Sequence, residues 1–162
     1  MSKITPCLWF GNEAEEAANF YVSLLPDSKI EKIQHSPADY PHGKAGNVIV
    51  VEFTLAGQRF MALNGGMRME YTNAASFVID CADQAEVDRL WDAILSHGGK
   101  AEQCGWIRDR YNVPWQIVPS ALHKYFDGPD KAGAQRAMQA MLEMVKLDIE
   151  GLKRAYEGKS AA

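Results

Sequence analysis

The stretch Ile4-Thr5-Pro6-Cys7-Leu8-Trp9-Phe10-Gly11-Asn12-Glu13-Ala14-Glu15 passes from a short apolar run through a glycine into an Asn-x-x-Glu pattern. An Asn at a helix N-cap accepts a bond from the backbone N–H three residues on, and a Glu at that position reaches back to the cap, so this spacing marks a helix start. Ala14, Ala17, Ala18, Tyr21, Leu24 and Leu25 then recur at helical spacing. Residues 4–10 therefore predict a strand that feeds an amphipathic helix. The pattern returns 71 residues later: Asp83-Gln84-Ala85-Glu86 is a second capping box, followed by Val87, Leu90, Trp91, Ile94 and Leu95. At that offset Ala14 meets Ala85, Glu15 meets Glu86, Phe20 meets Trp91 and Leu24 meets Leu95. A duplicated module is the economical reading.

Working outward, Pro26 and Asp27 stop the first helix, residues 29–34 alternate as a strand, and residues 36–46 form a loop. Residues 48–55 and 59–63, joined at Ala56-Gly57-Gln58, predict a hairpin that ends at Asn64-Gly65-Gly66. In the second half, residues 76–81, 101–108 and 115–118 supply strands, with residues 109–112 as a turn. Each half reads as βαβββ, one strand of the second being weakly marked. The chain is thus expected to be a single α+β domain over residues 1–162, with modules at 3–66 and 74–119 and a helical tail at 120–162. In the tail, Asp130 is placed to cap a segment whose Met138, Met141, Leu142, Val145, Ile149 and Leu152 share one face, a stripe suited to packing on a core or to a dimer contact.

Composition narrows the function classes. The 162 residues are 47% hydrophobic and 23% charged, as in an ordinary globular protein. A net charge of -4 lacks the positive field that phosphate binding needs, which argues against a nucleic-acid partner. No apolar run approaches the ~18 residues of a membrane span, and Pro6 and Gly11 interrupt the place of a signal peptide's apolar stretch. Cys7, Cys81 and Cys104 are an odd number without Cys-x-x-Cys spacing, which argues against a disulfide framework or a zinc knuckle and points to a reducing cytoplasm.

Three further motifs complete the picture: residues 58–66, Gln58-Arg59-Phe60-Met61-Ala62-Leu63-Asn64-Gly65-Gly66; Cys104-Gly105-Trp106 with Asp109-Arg110-Tyr111; and Trp115-Gln116-Ile117-Val118-Pro119. Together with the opening helix and the tail's Met141-Leu142-Glu143-Met144, they resemble the PhnB-like branch of the vicinal oxygen chelate superfamily, the glyoxalase, bleomycin-resistance and dioxygenase group. That resemblance runs over nearly the whole chain. It implies two βαβββ modules forming a cup-shaped mixed sheet, and metal ligands at the first and the third or fourth strands of each module. Carried over by position, the ligand places hold Pro6, Ser76, Glu52 and Gln116, of which only Glu52 is a strong ligand, so no tightly bound metal is expected. Members of the branch often carry the name 3-demethylubiquinone-9 3-methyltransferase. S-adenosylmethionine binding normally needs a glycine-rich turn after a strand of a doubly wound sheet; Asn64-Gly65-Gly66 follows a hairpin strand instead, and no cofactor is expected.

The candidate site residues follow. Glu52, between Val51 and Phe53 in a strand, is a costly carboxylate unless it is paired or hydrated, and it is either a general base or the partner of Arg59 or Arg110. Gln116 is expected to face the cup and Trp115 the opposite side, by strand alternation. Asn64, Trp106, Arg110 and Gln116 are candidate ligand-binding residues, Arg110 also being placed for a salt link with Asp109. Cys104 is read as a small buried side chain, and the four histidines as surface or helix-end groups. The functional classes left are a pocket binding a small polar metabolite, an acid/base enzyme using Glu52, or a dimer with a vestigial pocket. A homodimer is expected from the apolar surface that a half-open cup and the tail leave.

Overall fold

In the computed structural model, residues 3–159 are described and fall into two compact units divided between Glu70 and Tyr71. The first contains β1 (Cys7–Phe10), α1 (Ala14–Leu24), β2 (Lys29–His35), β3 (Val48–Leu55) and β4 (Gln58–Asn64). Its sheet runs β1-β4-β3-β2, with β1 parallel to β4 and the other pairs antiparallel. The tight β3–β4 hairpin places Ala56 and Gly57 at φ 46 and 78, the left-handed pair that matches strand twist. Alternation sends Leu8, Phe10, Val51, Phe53, Phe60 and Ala62 to the α1 side, where they are buried with Ala17, Ala18 and Tyr21. Phe53 and Phe60 stack there at 5.4 Å.

The start of α1 departs from its expected cap. Asn12 does not cap it: the Ala14 N–H donates to Asn64 Oδ1 at 2.9 Å, and Glu13 instead accepts from the Asn12 N–H and pairs with Arg68. A side chain at the end of β4 thus outcompetes the local box. In α2 (Gln84–Ser96) Asp83 does cap the helix, accepting from the Glu86 N–H at 2.9 Å, while Glu86 reaches back one residue beyond the cap to the Ala82 N–H at 2.8 Å.

The second unit repeats the order with β5 (Phe77–Cys81), α2, β6 (Lys100–Ala101), β7 (Trp106–Arg108) and β8 (Pro114–Pro119), and its sheet runs β5-β8-β7-β6. The weakly marked strand is the two-residue β6, because the chain turns back through Cys104 and Gly105 at φ 59 and 80. Ile79, Cys81, Ile107, Trp115 and Ile117 bury against Val87, Leu90, Trp91 and Ile94 of α2. Trp115 is on the helix side, as alternation requires, and its Nε1 donates to Asp109 Oδ2 at 3.0 Å.

The tail forms α3 (Ala121–Phe126), α4 (Lys131–Glu143) and α5 (Ile149–Tyr156). Asp130 caps α4 through the Gly133 N–H. The single apolar face expected from residue 138 to 152 is not realised. The chain leaves the helix at Met144, where the Met144 and Val145 carbonyls accept from the Cys104 and Gly105 N–H groups at 2.8 Å each, and Asp148 caps a new helix through the Gly151 N–H. Helix α4 packs through Gly133 and Ala137, which leaves Met138 and Leu142 exposed, while Leu147 and Leu152 join Leu122 and Tyr125 in a small core. Among the described residues no helix is long and apolar enough to cross a membrane.

Candidate functional site

The first sheet's face opposite α1 carries Glu52. Register places it beside Lys32 and Met61, and Met61 beside Cys7, so Cys7 and not Pro6 is the β1 residue in Glu52's row. The Pro6 carbonyl only accepts from the Met61 N–H. Glu52 is half-buried, accepts from Gln34 Nε2 at 2.8 Å and has Arg59 Nη2 3.6 Å from its other oxygen. Its strand position is thus sustained by pairing with Arg59, one of the two arginines expected. Asn64 lies on the opposite, α1-facing side with Phe60 and Ala62; its Oδ1 holds the start of α1 and its Nδ2 donates to the Val48 carbonyl at 3.0 Å. Both ends of its amide are spent inside the protein.

In the second unit, register lines up Val78, Gln116 and Trp106 across three strands on the face away from α2. Gln116 Nε2 donates to Ser76 Oγ at 2.9 Å, and among the described residues no other side-chain bond is made by this amide, so its carbonyl oxygen is available to a donor. A pocket of about 400 Å³ opens on this face. Its floor is Val78, Gln116 and Val118 with Trp106 beside them, and its far wall is Leu122, Phe126, Met141 and Leu147 from the tail. Asp80 and His123 stand at its edge, with His123 Nε2 3.9 Å from Asp80 Oδ1 and both side chains about two-thirds exposed, at 65% for Asp80 and 69% for His123.

The structure brings Trp106 and Gln116 together and leaves the other candidates elsewhere. Arg110 is exposed in the turn after β7, its guanidinium 5.6 Å from the Tyr111 ring centre. Asp109 is buried and accepts from the Tyr111 and Val113 N–H groups as well as from Trp115. The half-buried arginine of this region is Arg108, bound to Glu102, Asn73 and the Tyr71 and Asn112 carbonyls. Cys104 lines the pocket, while burial pushes the Cys81 thiol up to about 12, which makes it inert. Asp80 was missed by sequence reasoning although alternation from Val78 signals its face; His123 and the apolar tail wall carry no such signal.

Metal-binding potential can be judged from the donors. Gln116 offers an amide already tied to Ser76, Glu52 is engaged by Gln34 and Arg59, and among the described residues no three His, Cys, Asp or Glu side chains gather. This donor set does not fit a tightly held divalent ion.

A family model described as 3-demethylubiquinone-9 3-methyltransferase matches residues 2–118, and the chain belongs to that family. The PhnB protein of Bacillus cereus, which carries the same methyltransferase name, is 33% identical, with 74% of this chain and 100% of that one covered and a TM-score of 0.65. Protein PA1353 of Pseudomonas aeruginosa, at 20% identity, 74% and 98% coverage and a TM-score of 0.60, shares the fold. So does the fosfomycin resistance protein FosX of Listeria monocytogenes, at 13% identity, 76% and 97% coverage and a TM-score of 0.52. The fold is therefore that of the glyoxalase and bleomycin-resistance group, within the vicinal oxygen chelate superfamily. The family match ends before α3, so the likeness expected of the tail is not carried by it. The curated proteins give no match.

Proposed function

We propose that the protein binds a small molecule in the pocket of its second unit, through an apolar cleft with a polar anchor at Gln116. The observation that carries this reading is the pairing of an apolar lining with an amide oxygen that no described donor occupies, the usual make-up of a ligand site. Its setting is the cytoplasm, where three free thiols stay reduced. Methyl transfer, the activity in the family name, fits poorly with this chain. Gly65 and Gly66, the candidate glycine pair, are filled in: a Cβ at Gly65 would lie 1.8 Å from the Trp9 ring, and one at Gly66 2.3 Å from His42. No backbone approach to a nucleoside cofactor is open there.

The enzyme reading rests on Glu52, a carboxylate held within a strand. A base must have an oxygen free to reach a substrate proton, and here Glu52 already accepts from Gln34 Nε2 at 2.8 Å and stands 3.6 Å from Arg59 Nη2. Two variants separate the readings. Trp106→Ala is expected to abolish small-molecule binding, followed by ligand-observed NMR against a library of fragments, while Glu52→Gln leaves it intact. Turnover of a bound compound that disappears in Glu52→Gln would establish the enzyme reading instead; binding unaffected by Trp106→Ala would overturn the pocket.

A further inference from the structure

Resting on that pocket, we propose that it selects ligands with an apolar body and a cationic head, the body held against the C-terminal helices and the head on Asp80. Two observations meet here. The wall opposite Trp106 is built from Leu122, Phe126, Met141 and Leu147, all outside the segment that the family model matches, so the ligand's apolar body is recognised by the tail. The wall is fixed in place. Leu147 is 1% exposed, Gln84 Nε2 donates to its carbonyl at 3.1 Å, Gln84 Oε1 accepts from the Ile149 N–H at 2.9 Å, and the Cys104 and Gly105 N–H groups hold the preceding carbonyls.

The second observation is charge. Among the described residues no lysine or arginine lines the pocket, so an anionic head meets no permanently charged cation there. Asp80 supplies the pocket's carboxylate, on the same strand face as Val78, and His123 is its neighbour at 3.9 Å. An ammonium placed beside Asp80 leaves its hydrocarbon part on Val78, Val118 and Phe126. Gln116, whose nitrogen is tied to Ser76, can accept from a hydroxyl or N–H of the same ligand. Because Asp80 is largely exposed, its preference for a cation is expected to be modest and screened by salt.

Three probes with one ring and different heads test this: tryptamine, the neutral alcohol tryptophol, and indole-3-propionate, titrated by calorimetry into the full chain at pH 8. Tryptamine is expected to bind about fivefold more tightly than tryptophol at low salt, and indole-3-propionate most weakly. Asp80→Asn is expected to remove the amine's advantage and leave tryptophol unchanged. Phe126→Ala is expected to weaken all three alike. Equal binding of the three heads, a preference for the acid, or an amine preference that survives Asp80→Asn overturns the inference while leaving the pocket in place. Binding of none of them, with the Trp106 indole resonance unmoved, would remove the pocket reading and the inference together.

Discussion

Asp109 shows how a single buried carboxylate organises a turn and a core side chain at once. It is 4% exposed, and it accepts from the Tyr111 N–H at 2.8 Å, the Val113 N–H at 3.0 Å and Trp115 Nε1 at 3.0 Å, so these three donors are satisfied by one carboxylate. Replacing it with Asn would put an N–H₂ group among N–H donors. Asp109→Asn is expected to lose about 2–3 kcal/mol, seen as a lower urea midpoint with an unchanged far-UV spectrum. Glu52 presents the opposite case at the same scale. It is half-exposed on its sheet face with Arg59 and Gln34 beside it, and its place in the strand is sustained by partners at the surface. Such a pair contributes little to stability, which makes Glu52→Gln a clean functional probe.

At the scale of elements, short β strands are stitched together by side chains from neighbouring segments. Glu102, after β6, accepts from Asn73 Nδ2 at 2.9 Å and Arg108 Nε at 2.8 Å, while Arg108 also reaches Asn73 Oδ1 and the Tyr71 carbonyl. The Asn73 amide, with the Arg108 guanidinium, holds the Glu102 carboxyl below its ordinary value against the opposing effect of burial. A depressed folded-state value stabilises the fold above the ordinary carboxylate range, and the contribution is lost as pH falls through the lowered value. Thermal unfolding of Glu102→Gln is therefore expected to show a shallower fall in Tm on acidification than the parent, the two converging at low pH. If the acid limbs run parallel, the network does not couple to folding. The caps follow the same logic of reach: Asn64 holds α1 from fifty residues away, whereas Asp83 and Glu86 close α2 locally.

For the whole molecule, Met138, Leu142 and Val145 stay exposed at 43%, 51% and 42%, the first two one turn apart on α4. We expect them to be covered in a homodimer, so light scattering should give twice the 18.0 kDa of the chain. Leu142→Glu is expected to shift that mass to the monomer without loss of helix, and a dilute parent already at 18.0 kDa would refute the expectation.

The sequence by itself determined the repeated βαβββ order, the hairpin at Ala56 and Gly57, the Asp83 and Asp130 caps, and the opposite facing of Trp115 and Gln116. Each of these depends on local spacing or on strand alternation, which a linear chain displays directly. Only the tertiary structure decided which Asn caps α1, where the tail helix breaks, and which of its residues face the core. Those choices turn on bonds between residues far apart in sequence, such as Asn64 to Ala14, Cys104 to Met144 and Gln84 to Ile149. A buried backbone N–H or carbonyl takes whichever partner the packed chain brings to it, and that partner overrides the periodicity of the segment in which it lies. The pocket divides the same way: Gln116, Trp106 and Asp80 could be placed by alternation, but its wall of Leu122, Phe126, Met141 and Leu147 exists only because the broken tail folds back across the sheet.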